Sequence, residues 1–154
     1  MRLRLRTLLV LGMLTSAAAG RERVQVVSFQ TPDGPAAYGI AKLVEAISDR
    51  GLETASVKTI EQADSSHVIV AGLASQRRIA DLITDSGVAL PKQPESLAVC
   101  RIKHAGRPTV VLCGGDWAGL MYAALDTAQR INWASAGEDL FAHIRSTSES
   151  PCLT

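Results

Sequence analysis

An α+β fold, with helices packed on a mixed β-sheet, is what this sequence predicts on three observations. Short runs rich in β-branched residues alternate with segments whose apolar residues recur at helical spacing. One run, His67-Val68-Ile69-Val70-Ala71-Gly72, is almost wholly apolar, as expected of a central strand buried on both faces. Two later runs flank Ala105-Gly106 closely enough to form a hairpin, which places an antiparallel pair in an otherwise alternating order.

The elements follow in turn. Val24 to Phe29 reads as the first strand, punctuated by Thr31-Pro32-Asp33-Gly34. Pro35 suits the first position of a helix, where its missing N–H costs nothing, and Ala36, Ile40, Leu43, Val44 and Ile47 give that helix one apolar face. Gly51 ends it as a left-handed cap. Thr54 to Val57 predicts a short edge strand, Ile60 to Asp64 a single turn, and His67 to Gly72 the central strand. Ser75 is the expected cap of a second helix buried through Ile79, Leu82 and Ile83, with Gly87 at its end. After a loop over 88–94, Leu97 to Lys103 and Thr109 to Cys113 form the hairpin strands. Asp116 is the expected cap of a long helix buried through Leu120, Met121, Ala124, Leu125, Ala128 and Ile131. An amphipathic segment from Glu138 to Arg145 follows, and 146–154 read as polar and turn-like.

The N-terminus has a different character. Met1-Arg2-Leu3-Arg4-Leu5-Arg6 is compactly basic, Thr7 to Ala19 is apolar, and Ala17-Ala18-Ala19 supplies the small residues of a cleavage site. That order predicts a secretory signal peptide over 1–19 and export to the periplasm or the extracellular space, the alternative being an uncleaved anchor. The run is closed by Gly20-Arg21-Glu22-Arg23 before the roughly 20 apolar residues of a spanning helix, and any membrane contact is expected only through this segment. Removing it changes the charge: 16 basic residues become 13 against 15 acidic ones, so the chain's +1 becomes about −2. No basic patch interleaved with aromatics remains, so nucleic acid is not an expected partner. The remaining 20–145 suit a single domain, far below the roughly 250 residues of a (β/α)8 barrel.

Cys100, Cys113 and Cys152 make an odd set, which cannot all pair internally. A hairpin loop of Gly106-Arg107 would put Cys100 opposite Cys113, in register for a disulfide; a loop of Ala105-Gly106 would make them diagonal neighbours.

Chemistry-bearing patterns are sparse. Cys113-Gly114-Gly115-Asp116-Trp117-Ala118-Gly119 sits between strand and helix, where anions bind, but it has neither the dinucleotide nor the P-loop spacing, and Asp116 stands where a phosphate would sit. Gly115, Asp116 and Gly119 therefore read as a structural turn motif. His67, His104 and His143 are scattered and set no metal-ligand spacing. No Gly-x-Ser-x-Gly elbow occurs. Glu45, Asp49 and Glu53, and the pair Asp81 and Asp85, read as solvated helix faces rather than as paired catalytic carboxylates. No catalytic, cofactor or metal residue is expected. Trp117, Tyr122 and Trp133 are candidates for stacking on sugar rings or for packing against core or a neighbouring domain.

A resemblance adds to this. Pro94-Glu95-Ser96-Leu97-Ala98-Val99, the hairpin, and Val111 to Leu125 follow the order of acidic residue, two strands, then Gly-x-Asp-x-x-Gly-x-x-Tyr at the head of an amphipathic helix. That pattern resembles the small N-terminal domain preceding the catalytic barrel in β-N-acetylhexosaminidases (glycoside hydrolase family 20) and α-glucuronidases (family 67), over about Val24 to Trp133. The resemblance implies a fold similar to zincins without their metal residues. It also implies that the catalytic carboxylates belong to a following barrel, so none is carried over. Pro151 to Thr154 resembles the junction to such a barrel, making 146–154 a linker or truncated junction. The expectation is an accessory domain, not an enzyme on its own, whose helix-bearing surface packs against a catalytic (β/α)8 barrel in cis or in trans. The alternatives are a stand-alone exported carbohydrate-binding module and a small hydrolase with an unrecognised site.

Overall fold

Side-chain alternation sorts each strand between two cores. In the computed structural model, which describes residues 22–151, Ile69, Ala71, Val110, Leu112 and Val99 enter one buried cluster. Their neighbours Val68, Val70, Val111, Cys113, Ala98 and Cys100 enter the other. A sheet apolar on both faces must be covered on both, and helices do so here. The segment 1–19 read as a signal peptide and Cys152 lie outside the described residues.

Six strands form the sheet: β1 (Arg23–Ser28), β2 (Glu53–Val57), β3 (His67–Leu73), β4 (Leu97–His104), β5 (Arg107–Gly114) and β6 (Thr147–Glu149). Their order is β2-β1-β3-β5-β4-β6. β1, β2, β3 and β5 run parallel, while β4 pairs antiparallel with β5 and with β6. The mixed α+β fold is the one the sequence predicts, and β2 is at an edge as expected.

Helices α1 (Pro35–Asp49) and α3 (Trp117–Trp133) cover one face, and α2 (Arg77–Asp85) the other. α1 begins at Pro35 and is followed by Gly51 at φ +76°, the conformation its position predicted. α1 and α3 run parallel: a Cβ added at Gly39 would lie 2.8 Å from the Met121 Cα near one end, and the Arg50 guanidinium reaches the Ala134 and Ser135 carbonyls at the other.

The β4–β5 turn is Ala105-Gly106, at φ +49° and +75°. Positive φ at both central positions matches the twist of a two-residue hairpin. Cys100 therefore faces Val111, and Cys113 faces Ala98. The thiols are diagonal neighbours, buried and free. Burial pushes both up, Cys113 to about 12.

Three local expectations differ from the structure. Gln76, not Ser75, precedes α2; its side-chain oxygen accepts from the Leu73 N–H at 3.2 Å rather than capping the helix. The stretch 138–145 buries Leu140, Phe141 and Ile144 as an amphipathic segment should, but as turns, not as a regular helix. Residues 147–149, expected as polar turn, form β6 along Leu97–Val99, with Ser146 Oγ accepting the Arg101 N–H at 2.9 Å.

Candidate functional site

The turn from β5 into α3 is filled from within. Asp116 caps the helix, its Oδ1 accepting the Gly119 N–H at 2.8 Å and the Glu95 N–H at 3.0 Å. The Gly115 N–H donates to the Ser96 carbonyl at 2.8 Å. A Cβ at Gly115 would strike the Gln93 carbonyl, and one at Gly119 the Ser96 carbonyl. Gly115, Asp116 and Gly119 thus converge on the 93–96 loop, which occupies the space a phosphate would need. The contact also holds Glu95 in the left-handed region, at φ +59°, with its side chain outward.

The aromatic candidates separate. Trp117 is half-buried against the α1–α3 core, while Tyr122 and Trp133 are 42% and 55% exposed. A third, Tyr38, is 55% exposed on α1, and sequence reasoning passed over it. Eleven residues are close to three helical turns, so Tyr122 and Trp133 fall on one line of α3 about 16 Å apart. Tyr38 precedes Gly39 and Tyr122 follows Met121; in parallel helices touching at Gly39 and Met121, both turn to the same outward side. The three large exposed hydrophobic side chains among the described residues share this face.

Two cavities of similar size differ in how their polar groups are used. One, of about 410 Å³, is lined by Glu22, Arg50, Leu52, His67, Gly137, Glu138, Asp139 and Leu140. His67 Nε2 lies 3.1 Å from Asp139 Oδ1, and Asp139 Oδ2 takes an Arg101 N–H at 3.1 Å. Burial works to raise the Asp139 pKa, but the hydrogen bonds from His67 and the Phe141 N–H, with the charges of His67 and Arg101, hold it below its ordinary value. Glu138 is also held low, first by the Ser135 N–H and then by His143. Ser66 Oγ lies 3.1 Å from His67 Nδ1, completing a Ser66–His67–Asp139 chain that sequence reasoning missed because Asp139 is remote. With Asp139 shared by Arg101 and His67 edge-on to Phe141 at 5.1 Å, the network pins the 135–144 turn to β3.

The second cavity, of about 400 Å³, lies beside Tyr122 and is lined by Glu95, Leu97, Asp126, Glu149, Ser150 and Pro151 as well. The Glu95 carboxylate and the Tyr122 and Ser150 hydroxyls take no hydrogen bond among the described residues. β6 brings Glu149 here, opposite Leu97.

The histidines stay apart, and among the described residues no group of three or more His, Cys, Asp or Glu is placed to hold a metal ion. Glu45 pairs with Lys42 at 2.7 Å and Asp81 with Arg77 at 4.0 Å, both in solvent. No helix among the described residues is long and apolar enough to cross a membrane.

No family model matches the chain, and no curated protein matches it. Among solved structures, the chain is similar to a GH138 enzyme targeting pectin rhamnogalacturonan II, with a TM-score of 0.55 and 14% identity. The match covers 84% of this chain and 15% of that one. The likeness is one of fold, and the chain spans less than a fifth of that enzyme's length.

Proposed function

We propose that this chain is a non-catalytic accessory domain of an exported, carbohydrate-active protein, working beside a catalytic (β/α)8 barrel supplied in cis or in trans. The observation that carries the reading is that the same fold recurs as 15% of a glycoside hydrolase's chain. A unit of that share leaves the reaction to the rest of an enzyme, since a barrel alone needs about 250 residues. The N-terminal hexosaminidase and glucuronidase resemblance points the same way, and the basic-then-apolar leader supports export. The internal use of the Asp139 and Glu138 carboxylates supports a structural role for the cavity they line.

The purified chain should turn over no chromogenic glycoside and no rhamnogalacturonan II, and the adjoining DNA should encode a barrel in frame or in a neighbouring gene. Turnover that survives repurification would end the accessory reading. N-terminal sequencing of the exported protein should start at Gly20; an intact Met1 in the cytoplasm would remove the export proposal.

A further inference from the structure

We infer that the cavity beside Tyr122 binds a glycan carrying a free amine, with a protonated 2-amino sugar stacked on the Tyr122 ring and its ammonium held by Glu95 and Glu149. The inference rests on the carbohydrate-associated reading above and adds a ligand class and a site to it.

The contrast between the two cavities carries it. Around Asp139 the polar groups already serve one another: His67, Arg101, Glu138 and Arg50 all have partners within the fold. Beside Tyr122 the Glu95 carboxylate and the Tyr122 and Ser150 hydroxyls belong to residues that line the cavity and have no such partners among the described residues. Leu97 and Pro151 add apolar surface, and the volume of about 400 Å³ lies within the range of small-molecule sites. Unused polar groups around an aromatic wall are what a ligand bearing both C–H faces and polar substituents requires.

Charge selects the class. Glu95, Asp126 and Glu149 line the cavity and no basic side chain does. Arg130 stands behind it, tied to Asp126 at 2.7 Å and to the His143 carbonyl at 3.3 Å. Asp126 is thereby paired, and the Arg130 charge also reaches Glu149, leaving Glu95 as the free carboxylate and Glu149 as a second, partly compensated one. A uronate would meet like charge here, whereas an ammonium gains charge-assisted hydrogen bonds. The aromatic character of the exposed face favours a sugar over a purely electrostatic ligand. Tyr38, Tyr122 and Trp133 each pair an apolar ring with a polar tip, and Tyr122 and Trp133 continue the surface about 16 Å along α3.

Amide chemical-shift mapping of the isotope-labelled chain with a glucosamine tetramer tests this, at low ionic strength where exposed charges are least screened. Shifts should gather at Glu95, Tyr122, Glu149 and Ser150. The N-acetylated tetramer should bind about tenfold more weakly, the loss of one charge-assisted hydrogen bond; a galacturonate tetramer should not bind. Tyr122→Ala and Glu149→Gln should each weaken the glucosamine tetramer by about tenfold, while Tyr122→Phe keeps the stacking ring and binds. Both weakening sites are solvent-exposed, and matching melting curves would confirm intact folding. No shifts at millimolar ligand, or shifts elsewhere, would overturn the site. Equal binding of tetralysine would overturn the sugar and make the occupant a basic protein segment. Glycoside turnover by the chain would instead refute the accessory reading and leave these binding results standing.

Discussion

The two layers flanking the sheet bury comparable strand faces but cover them differently. On one side two parallel helices touch at Gly39 and Met121, and the 135–144 turn drives Leu140, Phe141 and Ile144 in beneath them. On the other a single nine-residue helix is joined by Ile60 and Ala63 of the turn before β3, with Ile79 and Ile83 inward and Arg77, Arg78, Asp81 and Asp85 in solvent. The exposed aromatics Tyr38, Tyr122 and Trp133 all belong to the first layer. The difference teaches that covering the core and presenting a surface are separate tasks. The α2 layer does only the first and ends in charge; the α1–α3 layer covers the core and still leaves Tyr38, Tyr122 and Trp133 outside, the rings on which the proposed sugar site draws.

The comparison breaks most readily at the core. Phe141 is fully buried, and Phe141→Ala should cost about 3–5 kcal/mol, since the pinned turn cannot collapse into the space. Ile83→Ala in the α2 layer should cost about 2–5 kcal/mol, toward the lower end because a short helix with one open face can settle. Urea unfolding of both variants ranks them, and an Ile83→Ala cost above that of Phe141→Ala would reverse the assignment of the rigid layer. Next come the close approaches. A Cβ at Gly39 meets the Met121 Cα at 2.8 Å, which is backbone, while one at Gly72 meets side-chain atoms of Ile79 and Gln76. Gly39→Ala should lose about 1–3 kcal/mol to overpacking, less up to about 1 kcal/mol returned by helix propensity. Gly72→Ala should lose less, and equal costs would mean that the α2 side chains are as immobile as the α1–α3 backbone.

Most of this architecture was legible because it rests on local patterns. The apolar spacing of Ala36, Leu43 and Ile47 marks α1, the near-unbroken run 67–72 marks β3, and Asp116 before a long apolar period marks α3. What escaped depends on remote partners. β6 is three polar residues that become a strand only because the outer edge of β4 lies open beside them. The 138–145 segment has the right buried residues, but no helix forms where Asp139 is drawn to His67 and Arg101. Ser75 looked like a cap, yet the chain enters α2 through Gln76. The proposed site divides the same way. Tyr122, Trp133 and the Gly115-Asp116-Gly119 turn were visible as residues of one helix and its approach. Glu95 and Glu149, 54 positions apart, meet Tyr122 only through the sheet.

A smaller effect isolates the pin that fastens the turn to the first layer. The Asp139 carboxyl is held below its ordinary value, burial being outweighed by the His67 and Phe141 hydrogen bonds and the nearby charges. A folded value below the unfolded one, about 3.9 for Asp, gives stability that is complete above the unfolded pKa and lost as pH falls through the folded one. The melting temperature of the native chain should therefore decline below about pH 4 more steeply than that of Asp139→Asn, the two curves converging in acid. Parallel curves would mean that another carboxylate controls acid unfolding.

The smallest effects compare the two outer skins. Arg77 Nε stands 4.0 Å from Asp81 with its side chain 94% exposed, so Arg77→Ala should change stability by no more than about 0.5 kcal/mol. Trp133 is exposed too, but the Arg130 guanidinium lies 5.8 Å from its ring and is steadied there by Asp126. Trp133→Ser should then cost about 0.5–1 kcal/mol, the usual worth of an exposed cation–π contact. Raising the salt concentration should narrow the Arg77 difference toward zero, because that pair is fully in solvent, and leave much of the Trp133 difference, which also contains ring contact. If both differences vanished together in salt, Trp133 would be doing no more for its layer than Arg77 does for α2, and the aromatic face would be no better anchored than the charged one.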